Sequence, residues 1–119
     1  MVTTYSLNLY SEKMCRELAD NDDVLRKKVL IEINEDFHQA DKINFALEST
    51  ILKELVKTFK EADNEIRELG SRAVLKVANT EKGRKVLVEN KIVPEIRKLF
   101  DDQQVQIRKN AYIALINLA

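Results

Sequence analysis

The sequence has no tryptophan, a single cysteine, a single histidine, one proline, two glycines, no net charge and no long apolar run. Each shortage removes a class of protein. Cys15 alone cannot form an internal disulfide, so the chain is not a stapled secreted mini-domain. Set between Met14 and Leu18 on an expected helix, Cys15 reads as a packed, unreactive thiol. His38 alone excludes a two-histidine metal motif, and its place at the end of a long helix suits an imidazole electrostatically. Neither Gly70 nor Gly83 stands in a phosphate-cradling loop; both interrupt helical patterns. Lys+Arg equal Asp+Glu at 20 each, without the basic excess of a domain that lives on nucleic acid. No stretch approaches the ~18 to 20 apolar residues that span a bilayer, and the opening Met-Val-Thr-Thr-Tyr-Ser lacks a basic segment followed by an apolar run. The expectation is a non-enzymatic chain with no cofactor, no metal, no nucleic-acid ligand and no membrane segment, placed in the cytoplasm or nucleus.

What the chain does have is a period. Arg26, Arg67 and Arg108 stand 41 residues apart, each ending a similar tripeptide: Val24-Leu25-Arg26, Glu65-Ile66-Arg67 and Gln106-Ile107-Arg108. The columns before them are apolar throughout: Tyr10, Ile51 and Ile92; Met14, Leu55 and Ile96; Leu18, Phe59 and Phe100. Those after them run Val29, Gly70 and Ala111, then Ile33, Val74 and Leu115, then Asp36, Val77 and Leu118, so only the first copy breaks the pattern. Fixed self-similarity at this spacing is the signature of a helical solenoid, whose terminal copies are allowed to be atypical.

Periodicity of 3.6 residues predicts only helices. They are expected near Leu9–Ala19, Val24–Phe37, Asp41–Glu48, Thr50–Glu61, Glu65–Ala78, Glu81–Glu89, Ile92–Phe100 and Gln104–Ala119. Within a module the order is short, medium, long. Asp20-Asn21-Asp22-Asp23 and Asp63-Asn64 offer N-cap oxygens. Asp22-Asp23 and Asp101-Asp102 both precede a long helix, where capping accounts for them. The expected organisation is one domain, 1–119, in repeats of about 1–38, 39–79 and 80–119, the first partial. Gly70, Ala73, Ala111 and Ala114 let neighbouring helices approach, and Leu55, Phe59, Val74, Ile96, Phe100 and Leu115 fill the space between them.

The last module resembles an armadillo repeat. Its third helix reads Arg108-Lys-Asn-Ala111-Tyr-Ile-Ala114-Leu115-Ile-Asn117-Leu118-Ala119, and Asn90-Lys91-Ile92-Val93-Pro94 is similar to the family's entry to its second helix. The resemblance implies an all-α, right-handed superhelical solenoid of about three armadillo repeats. HEAT-like pairing of two helices per unit is the alternative, and the short helix around Gly83–Val88 favours three. It further implies a partner groove along the third helices, at two, five and nine residues beyond each repeat arginine: Lys28, Ile31 and Glu35; Leu69, Arg72 and Lys76; Asn110, Ile113 and Asn117. Only Asn117 matches the family's asparagine ladder, and no tryptophan shelf exists. Arg67, Arg72, Lys76 and Arg108 therefore read either as a modest basic strip for an acidic partner or as members of salt bridges.

The run from Val24-Leu25-Arg26-Lys27-Lys28 through Asp36-Phe37-His38, Ile43-Asn44-Phe45-Ala46 and Ile51-Leu52-Lys53-Glu54-Leu55, on to Asn64-Glu65-Ile66-Arg67 and Val93-Pro94, resembles the N-terminal part of the armadillo-repeat radial spoke proteins of motile cilia. That likeness implies a scaffold among other subunits of a large assembly, the axonemal radial spoke. The other class is a soluble adaptor binding extended or acidic peptides in the groove. The apolar edge near Ala119 is expected to be covered by more repeats, a partner or a second copy.

Overall fold

The computed structural model describes residues 4–119, with side chains from residue 11 onward. The Tyr10 side chain and the first residues of the opening segment lie outside that range. Every described element is helical: α1 (Thr4–Leu18), α2 (Asp23–Asp36), α3 (Ala40–Ala46), α4 (Ile51–Lys57), α5 (Asn64–Ala78), α6 (Glu81–Glu89), α7 (Val93–Lys98) and α8 (Val105–Leu118). α4 and α7 each end in a tighter 3₁₀ turn, Thr58–Lys60 and Leu99–Asp101. The order α3–α4–α5 recurs as α6–α7–α8, three helices per unit, whereas α1 and α2 occupy the places of the second and third helices.

Local chemistry explains where the helices begin. The Asp22 carboxylate accepts from the Val24 and Leu25 N–H groups at 2.9 and 3.4 Å. Asp63 does the same for Glu65 and Ile66 at 2.8 and 3.1 Å, so each satisfies N–H groups that helical hydrogen bonding leaves open. Pro94 sits in the first turn of α7, where its missing N–H costs nothing.

Three details differ from the sequence reading. α1 begins at Thr4 and not near Leu9. The second helices are shorter than expected: Thr58 Oγ donates to Leu55 O at 2.5 Å as α4 gives way to its 3₁₀ turn. Asp101-Asp102 does not cap α8, whose N-cap is Gln104 without a side-chain bond.

Burial follows the columns. α5 is the central helix, packed against α2 on one side and α8 on the other, with α4 behind it. Leu30, Ile33, Leu55, Ile66, Val74, Leu87, Ile96 and Ile107 are sealed from solvent, each contributing about 1.5 to 3 kcal/mol. Gly70 permits the closest approach: a Cβ there would lie 2.8 Å from Thr58 Cβ. Phe100 is only half-buried and stacks on Tyr112 with ring centroids 4.4 Å apart.

Among the described residues, one non-glycine backbone position is left-handed. Lys91, in the α6–α7 turn, has φ 59°, and the Ile92 N–H reaches Leu87 O at 3.0 Å across it, the geometry of a helix-ending left-handed residue. A side chain there is disfavoured relative to glycine. Lys91→Gly is expected to raise unfolding stability by about 1 kcal/mol, read as a higher urea midpoint at unchanged slope; a lower midpoint would contradict this account of the turn.

Candidate partner-binding face

The third helices α2, α5 and α8 lie side by side, so their outward residues form one continuous face. Five residues beyond each repeat arginine, Ile31, Arg72 and Ile113 are all exposed. Arg72 is held on its own helix by Glu68, with Nε 3.1 Å from Oε1. This column is the part of the expected groove that is open along its whole length.

The other two columns are not uniformly open. Two residues beyond the arginines, Lys28 is exposed, but Leu69 and Asn110 are 6% and 2% accessible. Asn110 Nδ2 donates to Ser71 Oγ at 2.9 Å and more weakly to Glu68 O at 3.4 Å, joining α8 to α5. Leu69 and Asn110 are therefore packing residues between third helices and not groove-lining ones. Nine residues beyond, Glu35 is exposed, Lys76 Nζ donates to Asn34 O at 2.7 Å, and Asn117 Nδ2 donates to Asn79 Oδ1 at 2.5 Å. Burial and the neighbouring Arg72 charge hold the Lys76 pKa below the usual lysine value, against the opposing pull of Glu35 and Glu68. Lys76 and Asn117 thus spend polar atoms on the junctions between units.

A residue that pattern reading passed over belongs with these. Asn34 lies within the apolar face of α2, buried, and its Nδ2 bridges Leu30 O at 2.9 Å and Leu69 O at 3.0 Å. The legible signal was an amide standing one turn after Leu30 among Val29, Leu30 and Ile33.

The repeat arginines are not a surface strip. Arg26 Nη2 meets Glu61 Oε1 at 2.6 Å, and Arg67 Nε meets Asp102 Oδ2 at 2.9 Å with Nη2 3.3 Å from Oδ1. Glu61 and Asp102 occupy the same column, 41 residues apart, so each arginine clasps the acid that closes the second helix of the following unit. Arg67 also donates to Glu61 O at 2.8 Å and Ala62 O at 2.9 Å, pinning the turn of its own unit. Arg108 makes the matching bond to Asp102 O at 2.7 Å. Lys27 adds a flanking bridge to Asp63 at 2.9 Å.

On the opposite side, α4 and the α6–α7 turn border a cleft of about 710 Å³. Leu52, Val56, Val86 and Ile92 supply its apolar lining, and Lys53, Lys60 and Lys91 are among its polar residues. Sequence reading did not find it, because its walls come from two units whose spacing only the fold reveals.

Cys15 is half-buried with Sγ 3.8 Å from Ser49 Oγ, and His38 is exposed just beyond α2. Among the described residues, no three or more His, Cys, Asp or Glu gather as a metal site requires. None of the described helices is long and apolar enough to cross a membrane.

No family model matches the sequence, and no curated protein matches it. The likeness is structural. A designed armadillo repeat protein in complex with peptide (KR)4 aligns with TM-score 0.85 at 19% identity, over 98% of this chain and 52% of that one. A second designed armadillo repeat protein gives 0.82 at 21% identity over 98% and 52%. A computationally designed armadillo repeat protein for modular peptide recognition gives 0.82 at 22% over 89% and 45%. The chain spans about half the length of these structures. At such identity the likeness establishes the fold, an armadillo-repeat solenoid.

Proposed function

We propose that this chain is a non-catalytic protein–protein interaction scaffold, built into a large assembly as a structural subunit, and that the assembly is the axonemal radial spoke of motile cilia. The observation that carries the scaffold reading is the continuous face of third helices, where Ile31, Arg72 and Ile113 are exposed at matching positions in successive units. Stacked units of this kind offer extended surfaces for protein partners. A permanent subunit is favoured over an exchangeable peptide adaptor because Asn34, Lys76, Asn110 and Asn117 direct side-chain donors into the junctions between units. A clamp on a peptide backbone needs such groups free. The spoke itself rests on the sequence resemblance from Val24 to Pro94.

The deciding experiment is fractionation of the native protein from a ciliated cell, following it by quantitative blot through high-salt extraction of demembranated axonemes. Retention with spoke components is the expected result. A wholly soluble pool would remove the spoke assignment and leave the adaptor.

The adaptor reading has its own support: two of the structurally similar designed proteins are described by their peptide recognition. Here the exposed basic groove residues Lys28 and Arg72 would favour an acidic peptide. Arg72→Glu is the cleaner probe, since Arg72 itself is exposed and the change loses its pair with the half-buried Glu68 and puts a like charge one turn away, costing about 0.5 to 1 kcal/mol of stability. Lys76→Glu is unsuitable because it would also break the bond to Asn34 O. Fluorescence polarisation with a labelled acidic peptide reads the difference: for a structural subunit, weak binding that Arg72→Glu leaves unchanged is expected, whereas tight binding abolished by Arg72→Glu would establish the adaptor.

A further inference from the structure

The cleft between α4 and the α6–α7 turn carries a charge pattern that the repeat does not call for. Lys53, Lys60 and Lys91 line it, all exposed, and among the described residues none of them has an ion-pair partner. Lys57 also lines it but pairs with Glu54 at 3.1 Å, an arrangement that recurs one unit on as Lys98 with Glu95 at 3.2 Å. Glu95 supplies the only carboxylate in the lining, so the unpaired charge along the cleft is wholly positive. In a chain with no net charge, that is a local bias.

One period away, the same positions hold Glu12 and Pro94 for Lys53, Ala19 and Asp101 for Lys60, and Thr50 for Lys91. Packing of the repeat therefore requires a cation at none of them. Lys91 goes further, because its φ of 59° lies where glycine is the favoured residue, so a long cationic side chain stands there against backbone preference. Beneath the lysines, Leu52 and Ile92 are buried, and Val56 and Val86 are half-buried. The space above them, about 710 Å³, is in the range of ligand-binding clefts.

Continuation of the stack does not fill such a cleft. The corresponding one at the preceding junction, about 360 Å³ and bordered by Cys15, Phe45 and Ser49, stays open although a further unit is stacked beyond it. Its charged residues are Glu12 and Glu48, so the two clefts have opposite sign and the basic one belongs to the second junction alone.

We infer that this cleft is a docking site for an acidic segment of a partner protein, whose apolar side chains rest on Leu52, Val56, Val86 and Ile92 while its carboxylates meet Lys53, Lys60 and Lys91. Charge complementarity sets the sign of the occupant, and the recessed apolar floor sets its second property. No aromatic ring lines the cleft to stack a nucleic-acid base, and a flat membrane surface would not reach the buried floor. The site lies on the side of the solenoid away from the groove column, and its test involves no axoneme, so it stands or falls separately from the spoke assignment.

The test uses the whole chain and fluorescence polarisation with a labelled peptide pool in which aspartate or glutamate alternates with leucine, isoleucine, valine or phenylalanine. Saturable binding is expected, weakened about tenfold by Lys53→Gln with Lys60→Gln. Lys91→Gly is the discriminating variant: it should weaken binding about threefold while raising the urea midpoint, so that affinity and stability move in opposite directions. Arg72→Glu should leave binding unchanged, and a pool with serine in place of the apolar residues should bind about tenfold more weakly. Circular dichroism checks that each variant is folded. Absence of saturable binding, equal binding of the serine pool, or indifference to the lysine variants would each overturn the inference; loss of binding on Arg72→Glu would overturn it in favour of the groove. Phosphatidylserine vesicles and oligothymidylate are measured alongside, and lysine-dependent binding to either that exceeds binding of the peptide pool would overturn it in favour of a lipid surface or a nucleic acid.

Discussion

Asp102→Asn is expected to lower unfolding stability by about 3 kcal/mol at neutral pH, far more than a surface ion pair would. The carboxylate side chain is 8% accessible and its arginine 13%, so both charges have given up most of their hydration. Removing the acid leaves a guanidinium that still has the carbonyls of Glu61 and Ala62 and the Asn64 side chain. It has no countercharge, and an uncompensated buried charge is what makes the loss large. Asparagine also keeps an oxygen for the Gln104 N–H, 2.9 Å from Oδ1, which isolates the charge from the turn. The double variant Asp102→Asn, Arg67→Met should recover part of the loss, since it also removes the guanidinium charge that Asp102→Asn leaves buried without a countercharge. Urea denaturation of the four proteins reads the coupling directly; an Asp102→Asn effect under about 0.5 kcal/mol would mean the pair behaves like an exposed one.

The same pair sets a pH dependence. Burial pulls the Asp102 pKa upward, but the Arg67 side chain, the Gln104 N–H and the Arg67 and Arg108 charges outweigh it and hold the carboxyl below its ordinary value of 3.8. Asp63 is also lowered, first by Lys27 and then by the Ile66 and Glu65 N–H groups, against burial; Lys27 is correspondingly raised, chiefly by Asp63. A carboxyl depressed on folding contributes stability above its unfolded value and loses it as pH falls through the folded one. Stability should therefore hold from neutral pH down to about pH 5 and decline through the acid range below about pH 4. Asp102→Asn should shallow that decline; an unchanged acid limb would show that Asp102 is not one of the groups responsible.

The elements and their order were legible because the apolar columns repeat at a fixed interval: Leu55 with Ile96 and Val74 with Leu115 do the same job one unit apart. The arginine column was equally visible, but its partner was not. Glu61 and Asp102 lie 35 residues from the arginines they bind, and nothing local marks an acid at a helix end as belonging to the next unit rather than to the helix that follows it. The groove was legible only as far as helical phase goes. Phase puts Leu69, Arg72 and Lys76 on one side of α5, but how deeply α2 and α8 cover that side depends on where the neighbouring backbones sit. Coverage buries Leu69 and Asn110 and leaves Arg72 out.

Gly83→Ala is the substitution for which sequence and structure give opposite signs. In an exposed helix interior, glycine to alanine stabilises by about 1 kcal/mol. Gly83 is in the first turn of α6, where its N–H donates to Thr80 Oγ at 3.0 Å while that hydroxyl donates to Val77 O at 3.0 Å. A Cβ on Gly83 would lie 2.8 Å from the Val77 carbonyl carbon and closer still to its oxygen. Both atoms belong to the last turn of α5, and a helix backbone cannot rotate aside as a side chain can. At Gly70 the obstacle is the Thr58 side chain, so Thr58→Ala should relieve part of the effect of Gly70→Ala; at Gly83 no single replacement offers that. Relief must come from moving α6 away from α5, which loosens Leu87, itself fully buried. The expected cost is about 3 kcal/mol, the upper part of the range for overpacking. Because α6 packs on both α5 and α8, the displacement should propagate into the third unit before the first, as nearest-neighbour coupling in a solenoid requires. Hydrogen exchange by mass spectrometry would resolve it: faster exchange in α6 and α8 with α2 protected is the expected pattern. Uniform loss across all helices would mean that the stack unfolds as one block, and a stabilised variant would mean that α5 and α6 do not approach as closely as this geometry places them.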